Sequence, residues 1–209
     1  MDDTPATIYV VDDDADMRKA LQRLLESAGL QVECFGSAQD FLAAHDRHAA
    51  GCLLLDLSMP GLNGLQLQRE LEQMASPLPI VFLTGRGDIA ASVQAMKHGA
   101  TDFLTKPVDD DDLLAAVHEA LDTDRQRRRG SAEREHIAQC LASLTERERQ
   151  VLEQIVAGRL NKQIAAALGT VEKTIKFHRG NLMRKMGVRV VADLVKLAER
   201  AGIGAAPER

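Results

Sequence analysis

Along residues 1–121, short apolar runs alternate with stretches in which apolar residues recur every three or four positions. Ile8–Val11 is apolar and partly β-branched, the pattern of a strand buried on both faces, and it stops at Asp12. Met17, Ala20, Leu21, Leu24, Leu25 and Ala28 then recur at helical spacing, and Gly29 ends that helix. Gln31–Phe35 reads as a second strand, and Ser37 with Asp40 opens a short helix with a side-chain cap. Cys52–Leu55 is a third strand, stopping at Asp56, and the loop Ser58-Met59-Pro60-Gly61 leads to a helix from about Gly64 to Met74. Ile80–Leu83 is a fourth strand, stopping at Thr84, and a helix follows from Asp88 to about His98, ended by Gly99. Asp102–Thr105 is a fifth strand, stopping at Lys106-Pro107, and a last helix runs from about Asp110 past Leu121.

Such alternation predicts a parallel sheet covered by helices on both faces. Right-handed crossovers narrow the choice to an α/β, flavodoxin-like, doubly wound five-stranded sheet. The remainder reads differently. Thr145 and Glu148 form a capping box for a helix reaching about Ala157, with Gly158 after it. Asn161 is expected to cap a second short helix, Lys162–Leu168, and Thr170 a third that runs to about Met186. A fourth runs from about Val190 to Ala201. Short helices joined by Gly-containing turns predict an all-α, four-helix, helix-turn-helix domain.

Charge sharpens that division. The net charge of −5 conceals 22 acidic against 8 basic residues in 1–124, and 9 against 18 in 125–209. The first half is thus strongly acidic and the second basic, as suits a module that faces a polyanion. The join, DTDRQRRRGSAERE at 122–135, has no large apolar side chain, so it is not expected to be core. It reads as an exposed helix with a break near Gly130-Ser131 or as a flexible tether, and its helix-forming residues favour helix. The expected division is 1–121, a connecting segment 122–142 and 143–209.

Cys34, Cys52 and Cys140 lack metal-ligand spacing and argue against a disulfide scaffold. The longest apolar run, Ala49–Leu55, is far short of the about 20 residues of a membrane span. Met1-Asp2-Asp3 is the opposite of a secretory signal. A reduced, cytoplasmic protein with no membrane partner is expected.

In doubly wound folds the ligand site lies outside the carboxyl ends of the strands. Here those ends carry Asp12-Asp13-Asp14, Asp56, Thr84 and Lys106. Clustered carboxylates repel unless a cation intervenes, and an all-oxygen set suits a hard divalent ion, Mg²⁺ first and Mn²⁺ as its substitute. Such an ion neutralises phosphoryl oxygens and leaves one carboxylate free to attack phosphorus. Lys106 is then placed to pair with one phosphoryl oxygen and Thr84 to donate to another. Acidic strand ends also cap helices, which is the plainer reading of Asp14.

In the basic half the third predicted helix can be tested on a wheel. With Val171 as zero, Ile175, Leu182 and Met186 fall within about 60°. Lys173, Lys176, Phe177, Gly180 and Arg184 fall between about 140° and 240°. That outer face has three cations, one aromatic and a Gly that costs about 1 kcal/mol against Ala, which suits a helix laid in a DNA major groove. His178 lies near the apolar stripe, where a core-edge role and a phosphate contact both stand, and Arg179 is lateral. Asn161 and Lys162 are candidate phosphate contacts, with a plain N-cap as the other reading of Asn161.

The motifs VVDDD at 10–14, LLLDLSMPG at 53–61, LTG at 83–85 and FLTKP at 103–107 resemble the receiver domain of bacterial two-component response regulators. The resemblance covers 7–121. It implies that Asp56 is the phosphoacceptor, loaded from a phosphohistidine of a sensor histidine kinase. It implies Mg²⁺ held by Asp13, Asp56 and the Ser58 carbonyl, with Asp12 contributing, and phosphoryl binding by Lys106 and Thr84. Phe103, otherwise read as core, becomes the switch aromatic, and Lys106-Pro107 a cis peptide. Ser58 and Arg86 flank the site; tuning of the acyl phosphate and surface decoration both stand.

Leu144–Val188 resembles the LuxR-type helix-turn-helix, a likeness that extends over roughly 144–203. It implies that Lys176, Phe177 and Gly180 face bases, while Lys173, Thr174, Arg179 and Lys185 lie near phosphates. Leu160 stands where relatives often carry Ser, and Gly180 where many carry a side chain. The two halves together resemble a NarL/FixJ-type response regulator, and GRGD at 85–88 with AMKHGATDFLTKP at 95–107 leans to the FixJ branch.

The expected function is phosphorylation-dependent DNA binding and transcriptional regulation, with double-stranded DNA, a sensor kinase, a second copy of the chain and RNA polymerase as partners. Phosphorylation would reshape the surface of 86–98, 102–105 and 111–121, so that two receivers pair and hold two DNA-binding modules at adjacent half-sites. Relief of inhibition by the receiver is the other route. A Mg²⁺-dependent hydrolase with an Asp nucleophile lacks a segment for a substrate pocket, so no enzyme is expected. A DNA-binding protein whose receiver no longer switches is the second rival.

Overall fold

The computed structural model describes residues 6–85 and 89–203, with backbone alone at 89–92. Met1–Asp3, Arg86 and the Arg86–Asp88 part of the GRGD signature lie outside the described residues. The chain forms two compact units, residues 1–128 and 129–209.

The first unit is a five-stranded parallel sheet: β1 (Thr7–Val11), β2 (Gln31–Phe35), β3 (Gly51–Asp56), β4 (Ile80–Thr84) and β5 (Asp102–Thr105). Its order is β2-β1-β3-β4-β5, the flavodoxin-like doubly wound arrangement. Five helices follow the strands in turn: α1 (Ala15–Ser27), α2 (Ala38–Ala44), α3 (Gly64–Gln73), α4 (Ile89–Lys97) and α5 (Asp110–Ala142). Successive strand residues point to opposite faces, and each face has its own core. Tyr9, Val11, Leu53, Leu55 and Phe82 pack with Phe41, Leu67 and Leu71 on one side. Ile8, Val10, Cys52, Leu54 and Leu83 pack with Leu21, Leu25, Leu113 and Val117 on the other.

Two glycines let the backbone approach closely. A Cβ on Gly64, which opens α3, would lie 2.6 Å from the Asp56 carbonyl oxygen. At Gly51, φ is +145° and a Cβ would lie 1.8 Å from the Thr7 oxygen, so only Gly fits the start of β3.

The second unit contains α6 (Glu146–Val156), α7 (Asn161–Ala167), α8 (Glu172–Lys185) and α9 (Val191–Arg200). They close on Val151, Leu152, Ile155, Ile164, Ile175, Leu182, Met186 and Leu194, with Cys140 and Leu141 of α5 packed against them. The Thr145–Glu148 capping box is present.

Four expectations need correction. Asn161 is not a cap: Leu160 holds that position, and its amide donates to Gln163 Oε1 at 2.8 Å. Thr170 is not a cap either, since α8 starts after Val171 without a side-chain cap. The helix does not break at Gly130-Ser131 but runs unbroken from Asp110 to Ala142. The join is not free of core: Asp124 is 1% exposed, buried through ionic contacts rather than apolar area.

His45, after α2, stacks on Phe41 with ring centroids 4.9 Å apart. Its Nε2 lies 3.1 Å from Ser76 Oγ, and its Nδ1 is buried with no hydrogen-bond partner. Burial holds the imidazole below its ordinary value of 6.5, against a smaller opposing pull from Asp46. The unfolded chain therefore binds this proton more readily than the folded one, and stability falls as pH drops through and below 6.5. The expected loss is up to about 1 kcal/mol per pH unit. Urea unfolding followed through Tyr9, the single tyrosine, should show it, and His45→Phe should flatten it.

Candidate functional site

β1, β3, β4 and β5 lie side by side, so the residues at their carboxyl ends meet along one edge. Asp12 is fully buried. Its Oδ1 accepts from the Asp14 amide at 2.8 Å and its Oδ2 from Lys106 Nζ at 2.7 Å. Lys106 Nζ also donates to Asp56 Oδ1 at 2.6 Å, and the Ser58 amide donates to Asp56 Oδ2 at 3.1 Å. Asp13 is exposed, yet carboxylate oxygens of Asp12, Asp13 and Asp56 all lie within 4.8 Å of one another. One ammonium among three carboxylates leaves the pocket anionic. These oxygens fit a hard divalent cation.

Thr84 is buried; its hydroxyl donates to the Gly85 carbonyl at 3.2 Å, and its carbonyl accepts from the Lys106 amide at 2.7 Å. Phe103 pairs in register with Phe82 but is 40% exposed; the structure does not place it in the core. Ser58 is exposed, and Lys106-Pro107 is cis. Asp14 caps α1, accepting from the amides of Asp16 and Met17.

Burial pushes the Asp56 carboxyl up, and the charge of Asp12 adds to this; Lys106 and the Ser58 amide pull the other way without cancelling it. For Lys106, burial works to lower the ammonium's pKa, but its bonds to Asp12 and Asp56 outweigh that and raise it. Sequence reasoning missed Arg18, whose Nη1 donates to the Asp12 carbonyl at 2.6 Å. No spacing rule points a side chain at a main-chain oxygen, so the sequence carried no signal for this contact.

In the second unit, α8 buries Ile175 and Leu182, with Met186 just beyond. Val171, the reference of the helical wheel, is 64% exposed because it precedes the helix. Lys173, Lys176, Phe177, Gly180 and Arg184 are exposed together. Lys176 lies 3.4 Å from Glu172, an exposed pair of little strength, and Arg184 donates to Asn181 at 3.0 Å. His178 is half-buried beside Phe177, and Thr174 is half-buried. Arg179 donates to Asn161 Oδ1, joining α8 to the start of α7.

Lys185 departs from its expected place near phosphates. Its ammonium bonds Glu148 at 2.7 Å and the Ser143 carbonyl at 2.9 Å. On the wheel it lies on the inner flank, about 60° from the buried Leu182. Glu148 is buried, which favours its neutral form, but Lys185 and the capping bonds to Thr145 hold its carboxyl below the usual range.

Comparison with known proteins fits this geometry. Residues 8–118 match the family described as response regulator receiver domain, and residues 142–198 match bacterial regulatory proteins, luxR family. The chain belongs to the response regulator family. This response regulator is 44% identical to Nodulation protein W of Bradyrhizobium diazoefficiens, over 97% of this chain and 89% of that one. It is 44% identical to the transcriptional regulatory protein FixJ of the same organism, over 96% and 98%. The solved structure of the response regulator StyR matches with a TM-score of 0.88 at 44% identity, covering 94% of this chain and 99% of that one. A full-length FixJ from B. japonicum matches with 0.60 at 44% identity, covering 96% and 98%.

The response regulator thus pairs a receiver with a LuxR-type DNA-binding domain, as a phosphorylation-dependent transcription regulator of the NarL/FixJ type. A receiver implies a histidine kinase partner and the second domain implies DNA binding. Receivers generally bind Mg²⁺ at the acidic pocket, here the Asp12, Asp13 and Asp56 cluster. Among the described residues no helix is long and apolar enough to cross a membrane.

Two variants separate the charges in the pocket. Lys106→Met leaves Asp12 and Asp56 facing each other without a cation. In metal-free buffer it should cost about 2 kcal/mol, less than a fully buried pair because Lys106 is 22% exposed. Asp56→Asn should be neutral or stabilising at neutral pH, because the folded state disfavours the Asp56 charge. Urea unfolding of both variants measures this.

Proposed function

We propose that Asp56 accepts a phosphoryl group from a sensor kinase's phosphohistidine and that this governs DNA binding by the outer face of α8. The observation that carries the reading is the Lys106 ammonium, held between Asp12 and Asp56, with the Lys106 amide bonded to the Thr84 carbonyl. An Asp56 oxygen attacks phosphorus while the bond to the histidine nitrogen breaks, and the imidazole leaves with the bonding pair. Asp12, Asp13, Asp56 and the Ser58 carbonyl would hold Mg²⁺ or Mn²⁺, which supplies charge neutralisation for the phosphoryl oxygens. Lys106 shifts one bond to a phosphoryl oxygen. Thr84 rotates its hydroxyl from the Gly85 carbonyl toward another. Phe103, half out in solvent, turns inward into the space Thr84 leaves. Each Asp56 takes one phosphoryl group, so this is a switch rather than an enzyme with turnover.

The phosphorylated receivers pair as a homodimer and present two DNA-binding units to adjacent half-sites in the cytoplasm, where RNA polymerase is a further partner. In this reading 1–121 is the receiver, 122–142 the connecting segment and 143–209 the DNA-binding domain. Lys173, Lys176 and Arg184 bond bases and phosphates, Phe177 and Gly180 meet base edges, and Thr174 and Arg179 flank the groove.

Acetyl phosphate with Mg²⁺ should add the mass of one phosphoryl group at Asp56 and tighten binding to a duplex selected from a random pool by the phosphorylated chain. Absence of the adduct, or equal affinity in Asp56→Asn, removes the reading. Lys173→Ala and Lys176→Ala should each reduce the salt dependence of DNA binding by about one ion and leave stability within about 0.5 kcal/mol. Lys185→Met should do the reverse, lowering the melting temperature of the second unit while hardly changing the salt slope.

A further inference from the structure

Residues 122–135 of the connecting segment have no large apolar side chain, yet the first turns are anchored to the receiver. Asp124, on α5, is 1% exposed, and its Oδ2 accepts from the Gly51 amide at 3.1 Å. Arg128, one helical turn on, donates through Nε to both Asp124 oxygens, at 2.9 and 2.7 Å. Its Nη1 donates to the His48 carbonyl at 2.8 Å and its Nη2 to the Ala49 carbonyl. Arg127 adds a bond to the Pro77 carbonyl at 3.1 Å. Acid and guanidinium thus grip backbone groups of loops at the amino-terminal edge of the sheet, the edge opposite Asp56. The gripped amide belongs to Gly51, a position where only a residue without Cβ fits against Thr7. β3 is buried over its whole length, with the gripped amide at one end and Asp56 at the other.

A pair of this kind is poor at adding net stability, because desolvation offsets its attraction. It is good at fixing geometry, since a buried carboxylate, a planar fork and three backbone groups admit one arrangement. The helix it fixes is the one that continues to Ala142.

We propose that Asp124 and Arg128 are positioning residues that dock the first turns of the connecting helix onto the receiver, and that this docking is required for the state of Asp56 to reach the DNA-binding unit. The receiver then extends functionally to Arg128 rather than ending at Leu121. The inference rests on the reading of Asp56 as the regulated residue.

The test uses the full chain with Asp124→Asn, Arg128→Gln and Arg128→Lys, and Arg125→Gln as control. Arg125 lies on the same helix but pairs with Asp122 in solvent, both more than half exposed. Two quantities are measured: amide hydrogen exchange, and the ratio of affinities of phosphorylated and unphosphorylated chain for the selected duplex. Asp124→Asn and Arg128→Gln should speed exchange at Gly51 and at 124–128 by about tenfold, with the amides of β1 and β4 unchanged. They should bring the affinity ratio to near one while Asp56 still takes up its phosphoryl group. Arg128→Lys, which keeps the charge but loses the fork, should fall between, and serves if the other two fail to fold. Arg125→Gln should match wild type. A wild-type ratio of one overturns the reading of Asp56 and this inference together. A wild-type ratio that survives in the variants that fold overturns this inference alone.

Discussion

The receiver depends on one ammonium that holds two carboxylates apart. Asp12 and Asp56 are both buried at the carboxyl ends of adjacent strands, and burial of like charges a few ångströms apart is unfavourable. Lys106 relieves this by bonding both. The arrangement is only partly neutral, because Asp13 adds a third carboxylate. A pocket left anionic by its own fold favours a divalent ion and, beside it, the anionic group that such an ion brings in. The strand order places the four contributing ends next to one another, so the chemistry follows from topology as much as from residue type.

The second unit uses charge in two separate ways. Glu148 and Lys185 form a pair inside it, joined to the cap of α6, and this pair holds the start of α6 against the end of α8. Lys173, Lys176 and Arg184 stand outside, Lys176 and Arg184 with weak or local partners, available to a polyanion. Lysines that look alike in the sequence therefore have different work, decided by which face of one helix each occupies. The exposed Phe177 and the bare Gly180 make that outer face uneven, which favours close approach to an irregular surface such as a groove.

α5 runs across the boundary between the two units, and its middle is polar, without large apolar side chains. Its docking at Asp124 and Arg128 shows how a polar segment acquires a fixed place without apolar burial. Hydrogen bonds to the Gly51 amide and to the His48 and Ala49 carbonyls fix position through backbone groups, which every residue type at those carbonyls would supply.

The five βα units, their parallel order, the helical second half and the acidic, hydroxyl and ammonium residues at the strand ends were all legible in the sequence. Each rests on local periodicity or on where a run stops, and such signals survive without tertiary information. The outer face of α8 was legible for the same reason. What only the tertiary structure decided was pairing across distance. Lys185 met Glu148, 37 residues away; Arg179 met Asn161, 18 residues away; Asp124 met Gly51, 73 residues away. The exposure of Phe103 belongs here too. A side chain's partner depends on which elements the fold brings alongside it, and one linear pattern of charges is compatible with many such pairings.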